Sequence, residues 1–161
     1  MLRALLIVSY WVVCASDGYP AELGSRDQAI AIVKRVQASF TRNGASATFK
    51  AINDGAEGFR DHELYAFVYD LTGKTVAHGA NPQLVGKNRI DFQDQDGKLV
   101  ISEFIRTART SGRGWVDYSW PNAVSVEDMT SYVERLGGRY VVGVPVLRTD
   151  ARVIQALETQ R

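Results

Sequence analysis

Residues Leu64–His78 read LYAFVYDLTGKTVAH, which is a run of aromatic and β-branched residues, a turn and a second such run. The first run, Leu64–Tyr69, has the composition of a β-strand, and Thr72–Lys74 has the chemistry of a tight turn. Thr75–His78 then supplies a partner strand. The stretch therefore predicts a β-hairpin.

Helical and strand patterns on both sides of the hairpin predict an α+β fold. Ser25 and Gln28 have the spacing of a capping box, and apolar residues then recur every three or four positions until Asn43-Gly44 supplies a stop. The other predicted elements are a short helix at 45–52, a helix at 99–110, and strands at 114–120, 131–135 and 139–147, the last two joined at Gly137-Gly138. This order predicts a five-stranded, mostly antiparallel sheet with a long N-terminal helix on one face.

The composition indicates one domain with a core of its own. The chain has 161 residues, of which 45% are hydrophobic and 23% are charged. Nineteen Lys and Arg against eighteen Asp and Glu leave a net charge of +1. Because no basic cluster alternates with aromatic residues, nucleic acid is not an expected partner.

The N-terminus has the three-part layout of a secretory signal. A short basic start precedes the apolar run Ala4–Val13, and small residues follow at the positions that a signal peptidase reads. The apolar run is about half of the roughly 20 residues that a membrane-spanning helix needs. We therefore expect a signal peptide at 1–15, a mature domain at 16–161 with its core at 25–147 and a short C-terminal helix at 150–161, and a periplasmic location without a transmembrane anchor.

Alternatives for this N-terminus remain open. The leader could stay uncleaved and tether the protein to a membrane, or Cys14 could be lipidated, although Val13 is larger than such sites favour. The segment could also be a buried helix of a cytosolic protein. Cys14 is the chain's one cysteine, so the mature domain is expected to hold together without a disulfide.

The sequence offers little for metal binding or catalysis. Asp94, Asp96 and Glu103 match part of a calcium loop, but Phe92 takes the first ligand position and has no oxygen to offer. We therefore expect Asp94 and Asp96 to cap the helix that follows. The two histidines lack ligands at metal-binding spacing, and no nucleophile motif is present. No enzyme activity, catalytic residue, metal or cofactor is expected.

Aromatic residues in the predicted strands indicate a pocket as well as a core. Tyr65, Phe67 and Tyr69 alternate along one strand, and their phenols, with nearby polar groups, favour a concave site with converging donors. Such donors suit a small carboxylate or a similar polar ligand. The candidate ligand-binding residues are Phe67, Tyr69, His78, Lys87, Trp115, Tyr118, Trp120 and Tyr132.

Taken together, these motifs resemble the single Cache domain family, extracytoplasmic relatives of the PAS sensor fold, and in particular its small, freestanding, exported members. The resemblance covers about 25–146. Its most specific pieces are Tyr65-x-Phe-Val-Tyr-Asp70, Ala77-His-Gly-Ala-Asn-Pro82, Leu84-Val-Gly-Lys-Asn88, Asp94-x-Asp-Gly97, Gly114-Trp-Val-Asp-Tyr118, Trp120-Pro121 and Ser131-Tyr-Val-Glu134.

The resemblance implies a helix packed on one face of the sheet and a ligand pocket on the other, roofed by a loop and a helix. Members of the family usually form the sensing part of chemoreceptors and sensor kinases, and similar domains bind small organic acids. We therefore expect a sensor module that acts through a separate partner, such as a membrane receptor or a sensor kinase. The alternative is a non-catalytic interaction module with a degenerate pocket.

Two departures from the family pattern bear on the ligand. The family usually places a lysine where this chain has Met129, so the resemblance leaves anion binding altered. Near the end, the usual Gly-x-Gly-x-Tyr pattern is replaced by Gly143-Val-Pro-Val-Leu147, without the closing tyrosine. Because Pro145 lacks an amide hydrogen, it predicts an edge position or a bulge.

Overall fold

The structure, a computed structural model, describes residues 25–121 and 125–148. The expected signal peptide at 1–15, Cys14 and the expected C-terminal helix at 150–161 lie outside these ranges. Within them, no helix has the length and apolar character needed to span a bilayer.

The described residues form an α+β fold built on a five-stranded antiparallel sheet, as the sequence predicted. The elements are α1 (Arg26–Asn53), β1 (Arg60–Asp61), β2 (Leu64–Tyr65), β3 (Phe67–Asp70), β4 (Thr75–His78), a 3-10 turn (Pro82–Leu84), α2 (Val100–Ser111), β5 (Arg113–Pro121), β6 (Val126–Leu136) and β7 (Tyr140–Leu147). The strand order across the sheet is β4-β3-β7-β6-β5, and β1 and β2 form a separate two-stranded ladder.

The long helix α1 begins at the predicted capping box. The Ser25 hydroxyl accepts from the Gln28 backbone N–H, and the Gln28 side chain accepts from the Ser25 N–H, so both orphan donors are satisfied. Gly44 has φ 77° and ψ 175°, which interrupts the helical backbone at the predicted stop. The two predicted helices are therefore the two parts of one kinked helix, joined also by a hydrogen bond of 3.0 Å between the Ser39 and Thr48 hydroxyls.

Helices cover both faces of the sheet. Side chains alternate between the two faces along each strand, and apolar side chains on each face pack against a helix. The apolar stripe of α1 packs on one face, where the strands contribute Val68, Val142, Val144 and Leu136. On the other face α2 packs through Val100, Ile101, Phe104, Ile105 and Ala108 against Phe67, Tyr69, Tyr118 and Val133. The sequence-based prediction of a helix on one face is confirmed, and α2 lies on the opposite face.

Three boundaries differ from the sequence-based prediction. The predicted strand 64–69 is divided at Ala66, because β2 pairs with β1 while β3 pairs with β4 and β7. The hairpin turn after β6 has three residues, 137–139, since Leu136 pairs with Tyr140. Strand β6 begins at Val126, five residues earlier than predicted, because the polar residues at its start pair with β5 and do not show strand-like composition.

Neither Asp94 nor Asp96 caps α2, which corrects the sequence-based expectation. The N-cap position of α2 is Leu99, and no side chain caps it. The buried Asp94 carboxylate instead accepts the backbone N–H groups of Asp96, Lys98 and Ser119 at 3.0, 2.8 and 3.3 Å. It therefore closes the loop before α2 and ties that loop to β5.

Substitution of Asp94 should make the protein less stable and less sensitive to acid. Burial opposes ionisation, but the three backbone N–H groups and Lys98 together lower the pKa of Asp94 below its usual 3.8. A lowered folded-state pKa contributes stability above the unfolded-state value and loses it as the pH falls through the folded-state value. We expect Asp94→Ala to cost about 2–4 kcal/mol at pH 7, measured by urea denaturation.

The same measurement across pH 2–7 tests the cause. The difference in unfolding free energy between the wild type and Asp94→Ala should shrink as the pH falls below about 4. The exposed Asp96→Asn is the matched control, since it removes the same charge from the same loop and should change stability by less than about 0.5 kcal/mol. A pH-independent difference for Asp94→Ala would contradict the assignment.

Candidate functional site

A cavity of about 170 Å³ lies on the α2 face of the sheet. Strands β2 to β7 and α2 all contribute to its wall, and the lining residues are Glu63, Leu64, Tyr65, Phe67, Tyr69, His78, Phe104, Tyr118, Trp120, Glu127, Met129, Pro145 and Leu147. Its position, opposite the long helix α1, is the one that the resemblance implied.

The structure brings five of the eight candidate residues to this cavity. Phe67 and Tyr69 alternate along β3, Tyr118 and Trp120 alternate along β5, and His78 ends β4. Alternate residues of a strand share a face, which is why the spacing in the sequence was informative.

Trp115 and Tyr132 do not belong to the cavity, which corrects the expectation from the sequence. Trp115 is three residues from Tyr118 on β5, an odd spacing that places it on the opposite face. There it is paired with Tyr132 on β6, with ring centroids 5.3 Å apart, and both rings pack in the core under α1. The Arg26 guanidinium lies 4.7 Å from the centroid of the Trp115 ring.

Lys87 also lies away from the cavity. It belongs to the loop that follows β4, and its backbone carbonyl accepts from the Thr75 N–H at 2.9 Å. This residue is exposed. Lys87 therefore covers the edge of β4 through its backbone, and it is not among the residues that line the cavity.

Several lining residues were missed at the sequence level. Tyr65 continues the alternation of Phe67 and Tyr69, and that signal could have identified it. Phe104 lies on the apolar stripe of α2, where core and cavity residues cannot be separated by spacing. Glu63 and Glu127 carry no local signal, because polar residues in a loop and at the start of a strand are ordinary surface residues.

The walls of the cavity are aromatic and well packed. The Phe104 ring stacks on Phe67 with centroids 5.4 Å apart and meets Tyr118 edge-on at 5.3 Å. Tyr118 meets Trp120 edge-on at 6.0 Å. These geometries are favourable for aromatic pairs, so the rings of the wall support one another.

His78 presents a neutral imidazole. Its Nδ1 accepts the Asn81 backbone N–H at 3.0 Å, and its own backbone N–H donates to Asn53 at the end of α1. Burial, together with the positive charge of Arg89, lowers the pKa of His78 to about 4. At neutral pH the ring proton therefore resides on Nε2, where it is available as a donor.

The phenols of the cavity are also neutral. Burial raises the pKa of Tyr69 to about 12 and that of Tyr118 higher still, and the Tyr118 hydroxyl lies 2.8 Å from the Ser131 hydroxyl. Burial and the negative charge of Glu127 raise the pKa of Tyr65. At physiological pH these three side chains carry no charge.

Carboxylates supply the formal charge of the described cavity wall. Glu63 is exposed, Glu127 is half-buried, and the described lining residues include no Lys or Arg. Arg89 lies outside the lining, with its guanidinium 4.6 Å from the centroid of the Phe92 ring and 5.6 Å from that of Trp120. In the part of the chain that the structure describes, no basic side chain forms an ion pair with Glu63 or Glu127.

The two departures from the family pattern both line the cavity and leave it open. Met129 lies on β6 opposite Tyr118. Pro145 lies on β7 beyond Gly143, the last residue of β7 that pairs with β3. At Pro145, strand β7 pairs with β6 alone, so this residue has the predicted edge position. Between Tyr140 and Gly143 the same strand pairs with β3 as well and is central in the sheet.

Gly143 determines the position of the Phe67 ring. A Cβ atom at this position would lie 2.4 Å from the Cζ atom of Phe67, far inside van der Waals contact. The ring therefore packs directly on the backbone of β7. Any side chain at this position would push Phe67 away from the sheet and toward the cavity.

No metal centre is found in the described residues. Within 25–121 and 125–148 no three His, Cys, Asp or Glu side chains are grouped as a metal site requires. Asp94 uses its carboxylate on backbone N–H groups, as described above.

The family profile described as "Single Cache domain 2" matches residues 26–139. Two curated relatives share this region. The chain is 36% identical over 76 residues to the methyl-accepting chemotaxis protein McpP of Pseudomonas putida. The aligned region covers 46% of this chain and 14% of the relative. It is also 37% identical over 89 residues to the sensor histidine kinase MctS of Rhizobium johnstonii. That aligned region covers 53% of this chain and 19% of the relative.

The match therefore spans less than a fifth of either relative. Among solved structures, the chain is similar to a periplasmic sensor domain of a chemotaxis protein, with 31% identity and a TM-score of 0.56. That alignment covers 76% of this chain and 90% of the solved one.

Proposed function

Because this chain belongs to the single Cache domain 2 family, we propose that it is a sensor module that binds a small polar ligand in the cavity between α2 and the sheet. The observation that carries the proposal is the cavity itself. It is open, it is walled by aromatic rings that pack on one another, and it is lined by the neutral imidazole of His78 and the neutral phenol of Tyr118.

The size of the cavity limits the ligand. An engineered apolar cavity of about 150 Å³ in another protein admits benzene, so about 170 Å³ suits a molecule of roughly six non-hydrogen atoms. Aromatic walls with a few polar groups are the usual make-up of small-molecule sites. A metabolite of this size with one apolar part and one or two polar groups would fill the cavity.

The polar groups allow more than one class of ligand. The sequence favoured a small organic acid, and the neutral donors of His78 and Tyr118 would suit one. Lys87, the cation that was expected to bind an acid, lies away from the cavity. A small organic acid therefore depends on uncharged donors alone, and a similar polar metabolite without a negative charge fits the described wall as well.

The relatives support a setting in the periplasm. One is a methyl-accepting chemotaxis protein, the other is a sensor histidine kinase, and the similar solved domain is a periplasmic sensor domain. We propose that this domain works in the periplasm, as residues 16–161 after a signal peptide at 1–15 or tethered through an uncleaved or lipidated leader. We further propose that it acts without catalysis and passes ligand occupancy to a signalling partner, such as a membrane receptor or a sensor kinase.

Thermal-shift screening of the purified protein tests the binding function. The panel comprises small carboxylates, amines, amino acids and neutral alcohols of four to eight non-hydrogen atoms. A binder should raise the melting temperature in proportion to the logarithm of its concentration above Kd. In Gly143→Ala the Phe67 ring is displaced toward the cavity, so we expect the shift to disappear while the circular dichroism spectrum stays that of a folded protein.

Two results would contradict the proposal. One is the absence of any shift across the whole panel. The other is a shift that persists unchanged in Gly143→Ala, since the ligand would then bind elsewhere. A structure of protein purified from its own host, inspected beside His78 and Tyr118, provides an independent check because a tight ligand can survive purification.

A further inference from the structure

We propose that the ligand of this cavity is a small organic cation, with an ammonium group held by Glu127 and Glu63. This inference rests on the proposed function, because it assigns the charge of the ligand that the sensor cavity binds. It is opposite in sign to the small carboxylate that the sequence favoured.

The charge of the cavity wall favours a cation. Two carboxylates line the cavity, the described lining residues include no Lys or Arg, and no described basic side chain forms an ion pair with either carboxylate. Glu127 is half-buried, so its interactions are screened less than those of a surface residue. A unit charge about 5 Å away, at an effective dielectric constant of about 20, changes affinity by a factor of roughly 200, from which the cost of removing both charges from water is subtracted.

The aromatic side chains of the wall also favour a cation. Aromatic faces attract cations through their quadrupoles, and Tyr65 and Trp120 line the same cavity as the carboxylates. An ammonium group in this cavity would have both carboxylates and aromatic rings in the wall around it. These groups compensate an ammonium ion for the loss of its hydration water. They would compensate an anion less well, because the aromatic faces repel negative charge.

The remaining polar groups fit the same ligand. His78 is neutral and offers an Nε2 proton, and Tyr118 offers a hydroxyl. A cation that also bears a hydroxyl group could use both kinds of partner. The positive charge of Arg89 also acts on this cavity. Its guanidinium lies over the Phe92 and Trp120 rings outside the lining and helps to lower the pKa of His78, so it offsets part of the carboxylate field.

Matched ligands of different charge test the proposal on the wild-type protein. Butylammonium, 1-butanol and butyrate have the same carbon chain, and choline and 3,3-dimethylbutan-1-ol have the same shape. Isothermal titration should give butylammonium and choline a Kd at least tenfold lower than that of their neutral counterparts. Butyrate should bind more weakly than 1-butanol.

Glu127→Gln should weaken binding of the two cations about tenfold and leave the neutral ligands unchanged. The matched control is Glu57→Gln, an exposed residue in the turn after α1 that does not line the cavity and should alter nothing. Tighter binding of butyrate than of butylammonium would overturn the cation assignment while leaving the sensor function standing. Failure of the cations, butyrate and both alcohols to bind would count against both.

Discussion

Replacing Met129 by lysine in a Glu127→Gln background should reverse the charge preference of the cavity. The double variant is expected to bind butyrate ten- to a hundredfold more tightly than the wild type does, and to bind butylammonium more weakly. Met129 already lines the cavity, opposite Tyr118 on the neighbouring strand. The lysine stem can follow the path of the methionine, and its ammonium group adds a charge-assisted hydrogen bond of about 1.5–3 kcal/mol.

The second substitution is necessary because of the carboxylate nearby. In Met129→Lys alone, Glu127 would pair with the new ammonium group and cancel most of its field. We therefore expect the single variant to lose affinity for cations without gaining much for anions. Titration calorimetry on the wild type, the two single variants and the double variant would show this as a coupling between the two positions.

Met129→Leu combined with Glu127→Gln is the control for shape. It keeps the apolar volume of the cavity and the loss of the carboxylate but adds no positive charge. Butyrate should bind this control no more than about threefold more tightly than it binds the Glu127→Gln variant. Equal affinity for butyrate in the leucine and lysine variants would show that the side chain at 129 does not reach the ligand.

Truncation of Phe104 to alanine should cost about 3–5 kcal/mol of unfolding free energy, which is a large part of the 5–15 kcal/mol typical of a small domain. The ring is 2% exposed and is in contact with Phe67, Tyr69 and Tyr118. Its removal would forfeit burial and ring contacts and would join its own volume to the cavity. Urea denaturation of the wild type and the variant measures the loss.

Phe104→Leu separates the two effects. Leucine keeps much of the buried volume and should cost about 1–2 kcal/mol, while the ring contacts are lost.

Phe104→Ala should also shift the preferred ligand toward molecules larger than choline, because the cavity gains the space of a ring. A loss of less than about 1 kcal/mol in Phe104→Ala would mean that α2 closes over the gap, and the shift in ligand size would then be absent.

The architecture could be predicted from the sequence because its signals are local. The capping box at Ser25, the stop at Gly44 and the alternation in β3 each depend on residues a few positions apart. The start of β6 had no such signal. Its polar residues are held in the strand by pairing with β5, a contact between residues distant in the sequence.

The candidate site was predicted less well, for a geometric reason. Alternation within one strand correctly grouped Phe67 with Tyr69 and Tyr118 with Trp120. It could not show that Trp115 and Tyr132 occupy the opposite face, because that requires the register between strands. Nor could it show that Glu127 lines the cavity, because the position of a single carboxylate relative to a cavity depends on how its strand packs against the others.

The division between β2 and β3 at Ala66 gives this cavity room to adjust. From Val144 onward β7 pairs with β6 alone, and β2 pairs with β1, so no ladder hydrogen bonds cross between β2 and this part of β7. Leu64 and Tyr65 form the cavity wall on one side of this seam, and Pro145 and Leu147 form it on the other. The two sides can separate by a fraction of an ångström at the expense of side-chain contacts only. The seam should therefore widen or narrow enough to accept ligands that differ by one methylene group. The strands that are joined by ladder hydrogen bonds should keep their positions.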